Sequence, residues 1–189
     1  MGSGLTAIRK TNKCNLQCRF CYNYGELDAI EPVGEGIWVI GGTKFYENDI
    51  DLLLEIHKKP TGVAYVYLEP FMEIEKYYNI IQKFNKAGIY QHLYTNGTLA
   101  TETTLKALGE AGLNELRFNL GASGCADKVI ENIGIAKKYI KKVGIETPMT
   151  NEFFEKFFLK KQAVLDTGLD FINCAELHFE IPIILRLLG

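Results

Sequence analysis

From residue 63 onward, short β-branched and aromatic runs alternate with amphipathic stretches of helical length. Runs at 63–68 (VAYVYL), 89–94, 115–120, 143–147 and 169–174 read as strands. Between them, Tyr77, Ile80, Ile81 and Phe84 share one helical face, as do Leu105 and Leu108, and then Val129, Ile133, Ala136 and Ile140. Thr101 is placed to cap the second of these helices. A longer helix is expected over 151–166, with Phe153, Phe154, Phe157 and Phe158 all read as core packing. Gly88, Gly112 and Gly168 punctuate the helix ends. The strands begin about 27 residues apart, and such regular alternation builds βαβ units on a parallel sheet.

Upstream, Leu5–Arg9 supplies one more strand. Six strands predict an α/β fold with an open, partial (β/α)6 barrel, because a closed eightfold barrel takes about 250 residues. A flavodoxin-like, doubly wound sheet is the alternative. Residues 24–43 are Gly-rich and read as an extended loop or small hairpin around the apolar patch Ile37–Ile40. Asn48 or Asp49 should cap a helix carrying Ile50, Leu53, Leu54 and His57, which Pro60 and Gly62 end. The tail 181–189 (IPIILRLLG) is apolar, suited to a last helical turn closing the sheet, to the stub of a truncated chain or to an oligomer contact.

The 189 residues are expected to form a single domain, 1–189. A net charge of −2, with Lys and Glu interspersed, gives no electrostatic reason to expect nucleic acid as a partner. No apolar run approaches the roughly 20 residues of a membrane-spanning helix, and residues 1–6 lack the basic and apolar regions of a signal peptide. Five cysteines, an odd number with three clustered, argue against a disulfide framework. A reducing, cytoplasmic setting is expected.

Parallel α/β sheets present ligands to the loops at the carboxyl ends of their strands. Here those ends carry, in order, a loop at 10–24, then Glu69-Pro70, Thr95-Asn96-Gly97, Gly121-Ala122-Ser123, Glu146-Thr147-Pro148 and Cys174-Ala175-Glu176. Polar residues therefore gather at one end of every strand. The first loop reads KCNLQCRFCYN and places Cys14, Cys18 and Cys21 in the spacing C-x3-C-x2-C. Three thiolates so close converge on one point, which suits a metal centre with one coordination position open.

This spacing, with aromatic Phe20 before the third cysteine, resembles the signature of the radical S-adenosylmethionine (radical SAM) enzymes. The resemblance implies that Cys14, Cys18 and Cys21 hold a [4Fe–4S] cluster whose fourth iron is chelated by S-adenosylmethionine, with Phe20 near the adenine. It implies reductive cleavage of that cofactor to a 5′-deoxyadenosyl radical, which takes a hydrogen from a substrate. The family's Gly-Gly-Glu-Pro motif follows the second strand and receives the methionine amino group. This chain has Tyr67-Leu68-Glu69-Pro70, keeping the Glu-Pro and lacking both glycines. By position, Asn96, Asn119, Ser123 and Glu146 match cofactor contacts after the later strands, with Arg117 a weaker match. The resemblance runs from about residue 5 to 178. It also implies an external electron donor such as a flavodoxin or ferredoxin, an oxygen-sensitive cluster suited to anaerobic conditions, and a small-molecule, peptide or protein substrate. With no second cysteine cluster, activases of glycyl-radical enzymes and modifiers of small molecules or peptides are the compact members to compare.

Plainer readings stand beside these. The three cysteines could hold zinc, completed by Cys125, Cys174 or a histidine, although zinc motifs usually pair two knuckles. A degenerate homologue could keep a cluster or zinc for structure alone. Glu69 could be a solvated carboxylate opening a helix, and Asn96-Gly97 an ordinary turn. Cys125 and Cys174 are commonly small buried hydrophobes. Because Cys174 ends a strand on the site side, with Glu176 and His178 beyond it, those three are the candidates for acid, base or thiol chemistry on a substrate.

Overall fold

The structure, a computed structural model, describes residues 5–11, 13–21, 23, 33–56 and 61–177. His57, Pro60, His178, the tail 181–189 and much of the Gly-rich stretch lie outside the described residues. Among the described residues there are eight strands: β1 (Leu5–Arg9), β2 (Ile37–Ile40), β3 (Thr43–Tyr46), β4 (Gly62–Tyr65), β5 (Tyr90–Thr95), β6 (Glu115–Phe118), β7 (Lys142–Pro148) and β8 (Phe171–Ala175). The helices are α1 (Ile50–Ile56), α2 (Tyr78–Lys86), α3 (Glu102–Ala111), α4 (Asp127–Ala136) and α5 (Asn151–Asp166).

The strands form one sheet in the order β3-β2-β1-β4-β5-β6-β7-β8. From β1 through β8 every neighbouring pair is parallel and the order never reverses. Consecutive helices pack side by side, α2 on α3, α3 on α4 and α4 on α5. A doubly wound sheet reverses its order at a switch point; this one advances in a single direction, as an unclosed barrel does, with β3 and β8 at its edges. The hairpin option at Ile37–Ile40 holds, since β2 pairs antiparallel with both β1 and β3. Trp38 of β2 is fully buried, edge-on to Tyr77 at 5.2 Å, and its Nε1 donates to Glu47 at 3.1 Å.

Alternation along the strands separates two faces. Val63, Tyr65, Leu93, Leu116, Phe118, Val143 and Ile145 are buried in one cluster with Ile80, Ile81, Phe84, Leu105, Leu108, Val129 and Ile133 of the helices. Each such side chain contributes about 1.5–3 kcal/mol by leaving water. Residues of the opposite parity are His92 and Tyr94, Glu115 and Arg117, and Glu146, so the inner face of the barrel is polar. Helix ends follow from local chemistry. Thr101 accepts from the Thr104 amide at 3.2 Å while Thr104 Oγ1 accepts from the Thr101 amide at 3.0 Å, a reciprocal cap worth about 1 kcal/mol. Thr150 caps α5 through the Phe153 amide at 3.1 Å.

Three expectations change. The strand expected over 63–68 ends at Tyr65, because Tyr67 and Leu68 take positive φ angles of 88° and 59° and turn the chain. The one expected over 115–120 ends at Phe118, and Leu120–Ser123 form a single 3-10 turn. Of the four phenylalanines of α5, Phe153 is buried and Phe157 packs on the core, whereas Phe154 and Phe158 are 55% and 56% exposed. Successive helical residues are about 100° apart, so 153/157 and 154/158 cannot face the same layer. The outer pair stacks on itself at 6.3 Å, with Lys161 over the Phe158 ring.

Candidate active site

The carboxyl ends of β4 to β7 and the cysteine loop surround a cavity of about 300 Å³. Cys14, Cys18 and Cys21 line it, half-buried, with Phe20 beside them. A turn from the Cys21 amide to the Cys18 carbonyl, 2.8 Å, folds the loop back on itself. Asn15 pins the loop to the turn after β5, accepting from Asn96 Nδ2 and donating to Thr98 Oγ1, both at 2.9 Å. The motif's inner residues are thus fastened to a different strand.

Burial pushes the Cys14 and Cys18 thiols up, Cys18 to about 11, and the neighbouring thiols add to the rise because thiolates repel one another. Coordination reverses that preference, since a bound metal centre displaces the proton and neutralises the charge. Among the described residues, no three His, Cys, Asp or Glu side chains form a group that could hold a single metal ion. A mononuclear zinc site needs its sulfurs about 2.3 Å from one point. A [4Fe–4S] cluster takes each cysteine on a different iron and so holds the sulfurs farther apart. Three thiols lining one cavity are a donor set of the kind a [4Fe–4S] cluster uses.

Glu69, 1% exposed, lines the same cavity as the cysteines. Its carboxylate accepts from the Phe71 amide (3.1 Å), Thr95 Oγ1 (2.7 Å) and the Asn96 amide (2.7 Å). Burial still outweighs these donors and raises its pKa, and no cation among the described residues offsets it. The Glu69 amide donates to the Lys13 carbonyl at 3.0 Å, tying this turn to the start of the cysteine loop. Glu69 is therefore a buried, oriented carboxylate rather than a solvated one.

Asn96, Asn119 and Glu146 also line the cavity. The Asn119 amide oxygen accepts from the Ala122 amide (3.1 Å) and Thr147 Oγ1 (2.8 Å). Glu146 accepts from Tyr94 OH at 3.3 Å and pairs with Arg117, which also pairs with Glu115. Arg117 is consumed by these carboxylates and is not among the residues lining the cavity. Ser123 stands outside it, donating to the Leu120 carbonyl at 3.0 Å. Cys174 and Glu176 are exposed at the β8 edge, away from the lining, and His178 is outside the described residues. Cys125 is buried core.

Leu68 and Tyr94 line the cavity without having been assigned a role from sequence, and Thr95 lines it as part of the expected Thr95-Asn96-Gly97 strand end. Strand parity could have found Tyr94, which shares the inner face with Arg117 and Glu146. Leu68 stands at a glycine position of the motif, directly before Glu69, which was the one sequence signal for it; its backbone is left-handed, φ 59°. The described lining carries three thiols and two carboxylates and no Lys, Arg or His.

Known proteins carry the same core. The family model described as the Radical SAM superfamily matches residues 8–157. An uncharacterized protein of Methanocaldococcus jannaschii is 28% identical over 145 residues, 71% of this chain and 44% of that protein. The tungsten-containing aldehyde ferredoxin oxidoreductase cofactor-modifying protein of Pyrococcus furiosus is 24% identical over 185 residues, 85% of this chain and 48% of that protein. The chain thus spans less than half the length of these curated relatives. Among solved structures, Streptococcus suis SuiB bound to S-adenosylmethionine superposes with a TM-score of 0.69 at 16% identity, over 94% of this chain and 41% of that one. With most of its length matched by the family model and its sheet superposing on such a structure, the chain belongs to the radical SAM superfamily.

Proposed function

We propose that this chain is the catalytic core of a radical SAM enzyme. In this reading Cys14, Cys18 and Cys21 hold a [4Fe–4S] cluster, and the 300 Å³ cavity receives S-adenosylmethionine. The observation that carries it is charge: a cavity whose described lining has no Lys, Arg or His, with Glu69 buried and without a counter-ion among the described residues, suits a ligand bearing an ammonium and a sulfonium. Glu69 would accept from the ammonium, a charge-assisted bond stronger than a neutral one. Asn96, Asn119, Glu146 and Phe20 would position the rest of the molecule, and the half-buried walls would limit water around it. When bound, the cluster and S-adenosylmethionine supply a reductively generated 5′-deoxyadenosyl radical that takes hydrogen from a substrate.

The polar inner face built by Tyr94, Arg117 and Glu146 adjoins the cavity, which Tyr94 and Glu146 also line, and we assign the substrate to that face. A small molecule, a peptide or a protein segment would be the substrate, and one relative is named for modifying a cofactor. An external low-potential donor, a flavodoxin or ferredoxin, would deliver the electron. No helix among the described residues is long and apolar enough to cross a membrane, and the expected setting is an anaerobic cytoplasm.

The test is anaerobic reconstitution, reduction, addition of S-adenosylmethionine and detection of 5′-deoxyadenosine. About four irons per chain, as the cluster requires, with turnover to 5′-deoxyadenosine is the expected result. Four irons without cleavage would favour the second reading, a non-catalytic cluster module, for which the absent glycines before Glu69 speak. Bound zinc would overturn both.

A further inference from the structure

Tyr67 and Leu68 occupy the two positions where this chain lacks glycine, and both have left-handed backbones, φ 88° and 59°. Two consecutive side chains in that region are strained, and such strain persists only where the surroundings over-determine it. The surroundings are visible. The Val66 amide donates to the Ile8 carbonyl at 3.1 Å just before the pair, and the Glu69 amide donates to the Lys13 carbonyl at 3.0 Å just after it. Between these two bonds, the guanidinium of Arg9 lies 4.8 Å from the centre of the Tyr67 ring. Arg9 is the last residue of β1 and leads into the cysteine loop. Neither Arg9 nor Tyr67 lines the cavity, whereas Leu68 and Glu69 do.

We propose that Arg9 and Tyr67 form a cation–π clamp that holds the 67–68 backbone left-handed, and so act as positioning residues for Glu69. The clamp replaces by side-chain contact what glycine would supply by conformational freedom. Its value to the ligand rests on reading the cavity as the S-adenosylmethionine site; its effect on the backbone does not.

Glycine makes the test. Tyr67→Ala removes the ring but keeps the Cβ that opposes a positive φ, whereas Tyr67→Gly removes both the ring and the need for it. Hydrogen exchange at the Glu69 amide reports whether the turn stays joined to Lys13, and equilibrium dialysis of S-adenosylmethionine into anaerobically reconstituted protein reports the site. Tyr67→Ala and Arg9→Ala should each speed that exchange and weaken that binding about tenfold, which corresponds to about 1.4 kcal/mol. Tyr67→Gly should stay within about threefold of wild type, and adding Arg9→Ala to it should change nothing further. Wild-type behaviour of Tyr67→Ala, or Tyr67→Gly as impaired as Tyr67→Ala, would overturn the clamp. A wild-type protein that binds no S-adenosylmethionine would sink the cofactor reading instead, and the exchange measurements would still decide the clamp.

Discussion

The backbone amide of Asn96 donates to the Glu69 carboxylate at 2.7 Å, so the end of β5 aims an acid that follows β4. The two residues are 27 apart in sequence and meet because β4 and β5 are parallel neighbours in register. A carboxylate fixed by three donors presents its remaining lone pairs in a set direction, toward the cavity it lines.

Glu69→Gln keeps the shape but replaces one acceptor oxygen with an NH2 that faces existing donors. At least one buried donor then loses its partner, a cost of about 1–3 kcal/mol. Urea unfolding should show that loss, and binding of S-adenosylmethionine should fall at least about tenfold, the step that 1.4 kcal/mol makes. Full stability and full binding in the variant would contradict the role given to Glu69.

The cysteines divide by placement. Cys18→Ala should lose most of the iron taken up on reconstitution, along with the reduced-cluster signal in electron paramagnetic resonance. Cys174→Ser, exposed at the β8 edge, should keep about four irons per chain. Iron and sulfide analysis of the two variants separates a ligand from a bystander.

His92 is 4% exposed, and its pKa is lowered to about 4, by burial first and then by the nearby Arg117 charge. Unfolded, it titrates near 6.5. Between those values the unfolded chain binds a proton that the folded chain refuses. Its contribution is complete above about pH 6.5 and is lost as pH falls toward 4, amounting to about 3 kcal/mol. His92→Phe should flatten the stability profile by that amount between pH 7 and 4, relative to wild type in matched urea titrations.

Gly97 has φ 76°, and a Cβ there would sit 2.6 Å from Phe118 Cδ1 and 2.8 Å from Val129 Cγ1. Gly97→Ala combines left-handed strain with overpacking, together about 2–4 kcal/mol. Calorimetry should show a lowered Tm. A loss under about 1 kcal/mol would mean that Phe118 and Val129 yield more easily than their burial suggests.

Much of this was legible in advance because it is local. Helix stops, the Thr101 cap, the strand periodicity and the spacing of Cys14, Cys18 and Cys21 are short-range facts of sequence, and they led to a partial barrel with one polar end. Less legible were features set by contacts between distant segments. The early end of β4 follows from a turn anchored on Lys13, and the split of the α5 phenylalanines follows from which side of that helix the core covers. Ser123 matched a family position, yet its hydroxyl is spent on Leu120 within its own turn.

By itself the sequence determined most of the strands and helices, their order and the spacing of the cysteine loop, since propensity, periodicity and motif spacing act over a few residues. Only the tertiary structure decided that Glu69 is buried and held by Thr95 and Asn96, that Arg117 is absorbed by Glu115 and Glu146, and that Tyr67 and Leu68 keep a left-handed turn without glycine. Each depends on burial and on partners brought together by parallel strand pairing, and neither quantity exists until the sheet has formed.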